Sequence, residues 1–567
     1  MPKYFIQGKG QVEVTQNDFI SEGGEGKVFS KGNIVLKIYT DLKKMIPTAK
    51  IQELSALSTM NNIIIPKDLL LDSKKQVVGY VMDYVKGVPI CKLFTNDFRN
   101  RNNIQPDSIN KLVNRIVETI VFIHDKKCLL IDGNEMNYMV DSSSFQIPYF
   151  IDVNGYQTPS FPATVIMPSI RDWNAKTFST LTDWYSFAIV SCQLFIGIHP
   201  FKGKHPKYKP NQLEDRMRAN ISIFNKDVAV PSTCRDFSYI PDDIREWYIK
   251  VFEKGERIPP PKVVGLSNIK QVVVKIVQTT NNFEIASLGE FPDEIVRVKF
   301  WNANRAVTTK KQIWINKMHY NISSPDVDIV FTPKMMNPVF VKIENELLSL
   351  FDVTKKEAIN VNISCQEKLV IGNVIFAKYE GNLFEVTIDE FGDKILAFVK
   401  HTWGVMPKSS QLLDNIIFQN VLGKSYLVIP HPEESSKNSS CAIILAPELN
   451  GYRIIDGKYE NKVAMLTGNK GSVNSKFIFR FNGDSKYDCR IIDDSTSINF
   501  TVLDNGICIS INDDDTIEVF SNNLASNKVN AIQDPDINQS MMLTKDGVRT
   551  LFFNQNKLYS LTMKNKK

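Results

Sequence analysis

The side chains best placed to do chemistry lie in and after the stretch "CLLIDGNEMNYMVD" (128–141). Asp132 follows the strand-like "CLLI", Asn137 precedes the strand-like "YMV", and a further apolar run, "YFI", ends in Asp152. Acid and amide groups at strand ends, aimed into one cleft, suit a Mg²⁺–phosphate site, because magnesium takes few protein oxygens and leaves the rest of its shell to water and phosphate. Singly, each of these residues is an ordinary turn former. Upstream, "FISEGGEGKVF" (19–29) forms a Gly-rich hairpin whose backbone N–H groups can approach a polyphosphate. Such a hairpin alone is more often just a turn. Lys37 then stands inside the apolar run "NIVLKIY" (33–39), where a charge is costly unless it meets a partner or snorkels from an edge strand. The candidate partner is Glu53 in "AKIQELSAL", one element later, which by itself reads as a solvated helix residue.

These groups need elements to hold them. The first ninety residues give short strand-like runs, "VEV", "KVF", "IVLKIY" and "VVGYVMDYV". Farther on, "INKLVNRIVETIVFIHDKK" (109–127) places Ile109, Leu112, Val113, Ile116, Val117, Ile120 and Ile123 at helical spacing, with Asp107 and Ser108 as helix-start residues. "DWYSFAIVSCQLFIG" (183–197) is apolar nearly all round and predicts a helix buried in a core.

The ordered series of Gly-rich hairpin, Lys37, Glu53, Asp132 with Asn137, and Asp152 resembles the protein-kinase fold. "VMDYVKGVPI" (81–90) is similar to the hinge between kinase lobes, and "DWYSFAIVSCQLFIGIHPFKG" (183–203), with Asp183 at its start, to the central helix of kinase C-lobes. The "GxHPFxG" ending and "IDVNGYQ" especially resemble bacterial and phage eukaryotic-like kinases. The resemblance spans about 12–262 and implies an α+β bilobal unit, N-lobe about 12–85 and C-lobe about 86–262. It further implies that Ser21, Gly23, Gly24 and Gly26 cover the phosphates of ATP, and that Met82 and Tyr84 line the nucleotide site. Lys37 would hold the phosphates and pair with Glu53, Asp132 would accept the proton of the attacking hydroxyl, and Asn137 and Asp152 would bind Mg²⁺.

Several positions depart from the pattern. Ser21 stands for the first loop glycine, Leu130 and Ile131 for the His-Arg before the catalytic Asp, and Asn134 for the Lys that usually follows it. Val153 and Asn154 replace the Phe-Gly after the metal Asp, and "MPS" (167–169) replaces the motif that ends in an acid, which leaves Arg257 without its customary glutamate. Without an Arg at 131, control by phosphorylation of Thr158, Ser160 or Thr164 is not expected. Loss of the Lys at 134 should slow transfer unless another cation substitutes. No metal ligand and no base is deleted. Three readings follow: an active serine/threonine-type protein kinase, a pseudokinase scaffold that binds nucleotide or partners without catalysis, and a small-molecule kinase of the aminoglycoside type.

The chain has 567 residues, 43% hydrophobic and 23% charged, too long for one core. Its net charge of +6 is spread thinly, so no nucleic-acid or membrane footprint is read from it. Eight scattered cysteines without a CxxC pair argue against zinc or a disulfide framework, and with no signal-peptide pattern at the start a cytoplasmic setting is expected. The prolines of "GERIPPPKVVG" (255–265) mark a boundary, dividing the chain into 1–262 and an all-β region, 263–567. There, "VKIENELLSLFDV", "FAKYEGNLFEVTI", "CISINDDDTIEVF" and "LFFNQNKLYSLTM" each read as strand, polar turn, strand. A β-propeller of six or seven blades that recruits a protein partner is expected, with a pair of β-sandwiches as the alternative. His319, His401 and His431 read as surface or packed imidazoles, and Trp301, Trp314 and Trp403 as packing residues.

Overall fold

A computed structural model describes residues 3–564 apart from 24, 164, 210, 232–233, 262–278, 303, 393, 432–439, 471–472 and 483–485. The boundary segment "GERIPPPKVVG" is described only as far as Pro261, and the rest of it lies outside the described residues.

Seven antiparallel strands open the chain: β1 (Lys3–Ile6), β2 (Gly10–Glu13), β3 (Phe19–Glu22), β4 (Gly26–Lys31), β5 (Ile34–Tyr39), β6 (Asp68–Leu71) and β7 (Val77–Asp83). They form one sheet in the order β2-β1-β6-β7-β5-β4-β3. Side chains alternate across a strand, so Ile34, Leu36 and Ile38 of β5 join Phe19, Phe29, Leu70 and Val81 in a core on one face. The same alternation turns Val35, Lys37 and Tyr39 to the other face. Lys37 is therefore on a central strand, between β4 and β7, rather than on an edge. Gly26 and Gly79 are where β5 is gripped most closely. A Cβ on Gly26 would lie 2.2 Å from the Ile38 carbonyl oxygen, and one on Gly79 would lie 1.9 Å from that of Lys37.

Helix α1 (Thr48–Leu54) lies between β5 and β6, and after β7 come β8 (Gly87–Pro89), α2 (Asn96–Arg101), α3 (Pro106–Asp125), β9 (Tyr138–Asp141), β10 (Pro148–Phe150), α4 (Thr180–Ile196), α5 (Leu213–Arg218) and α6 (Asp242–Phe252). Helix α3 buries Ile109, Leu112, Val113, Ile116, Ile120 and Ile123, the stripe its periodicity predicts. It begins earlier than expected, with Pro106 in its first turn, a place where a missing N–H costs nothing. Helix α4 is buried on nearly all sides and opens with a Ser179–Thr182 capping box. One large core joins α3, α4 and α6. "CLLI" forms no strand; Leu129 makes a lone bridge to Gln157.

Among the described residues, the C-terminal region forms seven four-stranded antiparallel sheets. All four predicted hairpins are present, and Asn345 and Glu346 turn the first of them with φ of +50° and +60°, as a tight two-residue hairpin loop requires. One sheet combines Phe283–Glu290, from the start of the region, with three strands from its end, pairing Phe283 with Met563 and Glu290 with Lys557. Apolar clusters fill the space between neighbouring sheets. Val339, Val341 and Leu350 of one sheet meet Ile375, Ala377 and Val386 of the next, and Phe418 and Leu427 meet Leu466 and Phe477. The succession returns to its beginning where Leu558 packs with Ile295 and Val307. His319 stacks on Trp314, with ring centroids 4.8 Å apart, and His401 bonds the buried Glu385 at 3.0 Å. All eight cysteines are free. No helix among the described residues is long and apolar enough to cross a membrane.

The two regions touch at several points. Lys408 Nζ reaches the Ser30 carbonyl (2.5 Å) and Asp18 (3.5 Å) beside the N-terminal sheet. Asn100 of α2 donates to Glu294 at 2.8 Å, and Ile455 packs against the helical core.

Candidate active site

Lys37 is buried, and its Nζ lies 2.6 Å from Glu25 Oε2, 3.1 Å from Asp152 Oδ1 and 3.4 Å from Asn154 Oδ1. Burial alone would lower the pKa of this ammonium, but Tyr80, Asp152 and Glu25 outweigh it and hold the pKa well above the ordinary value. The lysine is a buried positive charge in contact with two carboxylates. The same Asn154 Oδ1 also accepts from Tyr80 Oη at 2.8 Å.

The expected Lys37–Glu53 pair is not formed. Helix α1 has only seven residues, and Glu53 Oε2 instead accepts the Ser160 N–H at 3.2 Å, tying the helix to the segment that follows Asp152. The partner of Lys37 is Glu25, at the tip of the Gly-rich hairpin. Gly24 and Thr164 lie outside the described residues. Gly23 closes the hairpin by donating to the Gly26 carbonyl (3.0 Å), and Ser21 is exposed opposite Val28. Met82 pairs with Val35 and so lies on the same side of the sheet as Lys37. Tyr84 is exposed, and its N–H is already taken by the Asn33 carbonyl at 2.9 Å, so it does not offer a free backbone donor. Thr158 is buried, which removes it as an accessible hydroxyl, whereas Ser160 is exposed.

The register of β9 and β10 brings the remaining groups together. Tyr138 pairs with Phe150, and the ladder continues as Ile151 N–H to the Asn137 carbonyl at 3.0 Å, which sets Asn137 beside Asp152. Asn137 Nδ2 donates to the Asp132 carbonyl (2.8 Å) and, more weakly, to its carboxylate (3.4 Å). That bond turns the amide oxygen Oδ1 to the opposite side. Asp132 Oδ1 also accepts the Met167 N–H at 2.8 Å. Burial raises the pKa of the Asp132 carboxyl, against the lowering effect of Met167, Asn134 and Asn137.

Two residues here are held in the left-handed region, Ile131 at φ +61° and Asp152 at φ +57°. For a β-branched residue that conformation is strained, and it persists only where the surroundings over-determine it. Asp183 supplies the constraint. From the first turn of α4 its buried carboxylate accepts Leu130 N–H (2.8 Å), Ile131 N–H (2.9 Å) and His124 Nε2 (2.9 Å). Arg257, for which the sequence offered no acid, does have one: Asp172 receives it in a two-pronged pair at 2.5 and 2.8 Å. The same guanidinium lies 4.5 Å above the Tyr185 ring.

Glu25, Asn154, Met167 and Asp172 thus take parts that sequence reasoning did not assign. Asn154 and the Met167 of "MPS" stand out in the sequence only as departures from the pattern, and Asp172 carries no mark of its own.

No known protein family matches the chain, and no curated protein does. Among solved structures, the chain is similar to the Cydia pomonella granulovirus kinase PK-1, at 12% identity and a TM-score of 0.31, covering 42% of this chain and 88% of that one. At that level the likeness carries no weight for function, and the site is read from its own geometry.

Proposed function

We propose that the chain is an ATP-dependent kinase acting on serine or threonine hydroxyls of proteins. The observation that carries this reading is the direct Lys37–Asp152 contact beside an Asp132–Asn137 loop. A buried cation, two oxygen donors and a carboxylate with raised pKa are thereby linked through direct contacts and neighbouring strands. Phosphoryl transfer asks for little covalent chemistry; positioning and charge stabilisation dominate. Lys37 would hold phosphate oxygens. Asp132 would orient the hydroxyl and take its proton.

The half-exposed Asp152 carboxylate and the Asn137 amide oxygen, whose Nδ2 is taken by the Asp132 carbonyl, are hard oxygen donors that fit Mg²⁺, which needs few protein ligands. When bound, the ion offsets charge on the phosphates. We further propose 1–262 as the bilobal kinase unit and 263–567 as a seven-bladed propeller that recruits a protein partner in the cytoplasm. The closed succession of inter-sheet cores supports the propeller.

One observation favours the scaffold reading: Glu25 holds Lys37 where a phosphate would sit. Removing that acid should help an anion bind. Glu25→Gln is expected to tighten Mg·ATP binding by about two- to fivefold, the scale of one half-exposed ion pair, while Glu53→Gln leaves it unchanged. Titration calorimetry checks both.

The discriminating experiment presents Mg·ATP with generic protein acceptors and with small alcohols. Transfer to protein, with an acid limb of kcat above the ordinary aspartate value of about 3.9, is expected from Asp132. Binding without transfer to any acceptor would select the scaffold. Transfer to small alcohols alone would select a small-molecule kinase.

A further inference from the structure

The loop between Asp132 and Asn137 is held from within and from outside. Within it, Asn134, which stands where the resemblance leads one to expect a lysine, accepts Met136 N–H through Oδ1 at 2.7 Å. On the other side of the same residue, the Met136 carbonyl accepts a hydrogen bond of 2.8 Å from Arg453 Nη1. Arg453 belongs to the C-terminal region. It is the first residue of the strand Arg453–Glu460, paired there with Asn469. Two residues along that strand, Ile455 packs against the helical core of the N-terminal region, so the arginine arrives on an element that is itself docked. Burial lowers the pKa of its guanidinium, against the raising influence of Cys91 and Asp152.

We propose that Arg453 is a positioning residue for transfer, fixing the 132–137 loop from the C-terminal region, so that this region is a working part of the site as well as a recruiting surface. The proposal rests on the kinase reading for its kinetic consequence alone.

Met136 directly precedes Asn137, whose amide orients the Asp132 backbone and stands beside Asp152. A charge-assisted bond to the Met136 carbonyl therefore fixes the peptide that aims a proposed metal ligand. Without it, the Met136 side chain keeps its place in the helical core and its N–H keeps the Asn134 bond, but its carbonyl, in the peptide that leads into Asn137, loses its charged donor. Displacement of a site group by about 1 Å can cost up to a hundredfold in rate. A lysine at 134 would act from inside the loop; Arg453 acts on the loop from a strand more than three hundred residues away in sequence.

The full chain should be compared with Arg453→Met and Arg453→Lys by two measurements. The first is kcat and KM for Mg·ATP with a protein acceptor, together with the Kd for Mg·ATP. Arg453→Met is expected to lower kcat by roughly tenfold or more with Kd changed less than about twofold, and Arg453→Lys to recover part of the loss. The second is amide hydrogen exchange across 130–138, expected to quicken in Arg453→Met and less so in Arg453→Lys. Unchanged loop exchange with unchanged kcat would overturn the proposal. So would a uniform loss of melting temperature, ATP binding and turnover with no added exchange at the loop. Should Arg453→Met fail to fold, Arg453→Lys decides by the same readouts. If wild type transfers nothing yet loop exchange quickens in the variant, the positioning role stands and the kinase reading falls.

Discussion

Asp183→Ala is expected to loosen the segment that carries Asp132 and to lower both stability and transfer. The carboxylate satisfies two buried N–H groups, those of Leu130 and Ile131, and also bonds His124. At about 1–3 kcal/mol for each buried donor left unpaired, the loss is on the order of 2–6 kcal/mol. Part of it returns when Ile131 relaxes from its left-handed conformation at φ +61°, since such strain amounts to roughly 1–3 kcal/mol. That relaxation is the functional harm, because it turns Asp132 away from Asn137. Asp183→Asn keeps the shape but weakens the acceptors, and should fall between wild type and alanine. Thermal unfolding and transfer rate, measured on the same preparations, check both expectations. A full transfer rate in Asp183→Ala would mean the loop does not need this anchor.

The second large effect is at Asp172. Its carboxylate is almost fully buried and takes both prongs of the Arg257 guanidinium. Asp172→Ala leaves a largely buried cation unpaired and is expected to cost about 3–5 kcal/mol. Replacing the pair together, as Asp172→Leu with Arg257→Met, should restore much of that loss, because a buried ion pair and apolar residues of similar volume are often close in stability. The recovery will be incomplete, since Arg257 also covers the Tyr185 ring and donates to the Val251 carbonyl at 3.3 Å. A double-mutant cycle by denaturant unfolding gives the coupling directly. If the single Asp172→Ala variant proves as stable as the wild type, the pair is not holding the 167–172 segment against α4 and α6.

What the sequence made legible follows the reach of local rules. Alternation in "IVLKIY" separates Leu36 from Lys37 whichever fold surrounds them, and the 3.6-residue stripe of α3 is its own evidence. Hairpins of the C-terminal region announce themselves as short polar turns between alternating strands, although the positive φ falls on Glu346, Glu380 and Gln555 as well as on Asn345 and Asp515. Ion pairs do not. Whether Lys37 meets Glu25 or Glu53 depends on the length of α1 and the fold of a hairpin tip, and neither is written in the residues near Lys37. Asp172 and Arg257 find each other across 85 positions, and Asp183 reaches back more than fifty to the loop it holds. The strand Phe283–Glu290 closes the seven sheets by pairing with the end of the chain, a register that no local pattern encodes. Arg453 is invisible for the same reason: a lone arginine at a strand start has no signature until the two regions are docked.

The central claim is that Lys37, Asp132, Asn137 and Asp152 transfer a phosphoryl group. The most direct measurement is the time course of γ-phosphate transfer from Mg·ATP to a protein acceptor by the full chain and by Asp152→Asn. The carboxylate proposed to hold magnesium is also the one in contact with Lys37, so its neutralisation should lower transfer by about three orders of magnitude or more, on the scale of removing a principal electrostatic stabiliser. Steady transfer by the wild type and its loss in Asp152→Asn is the predicted result. Equal transfer by the two proteins, or none by the wild type across acceptors and Mg²⁺ concentrations, would contradict it.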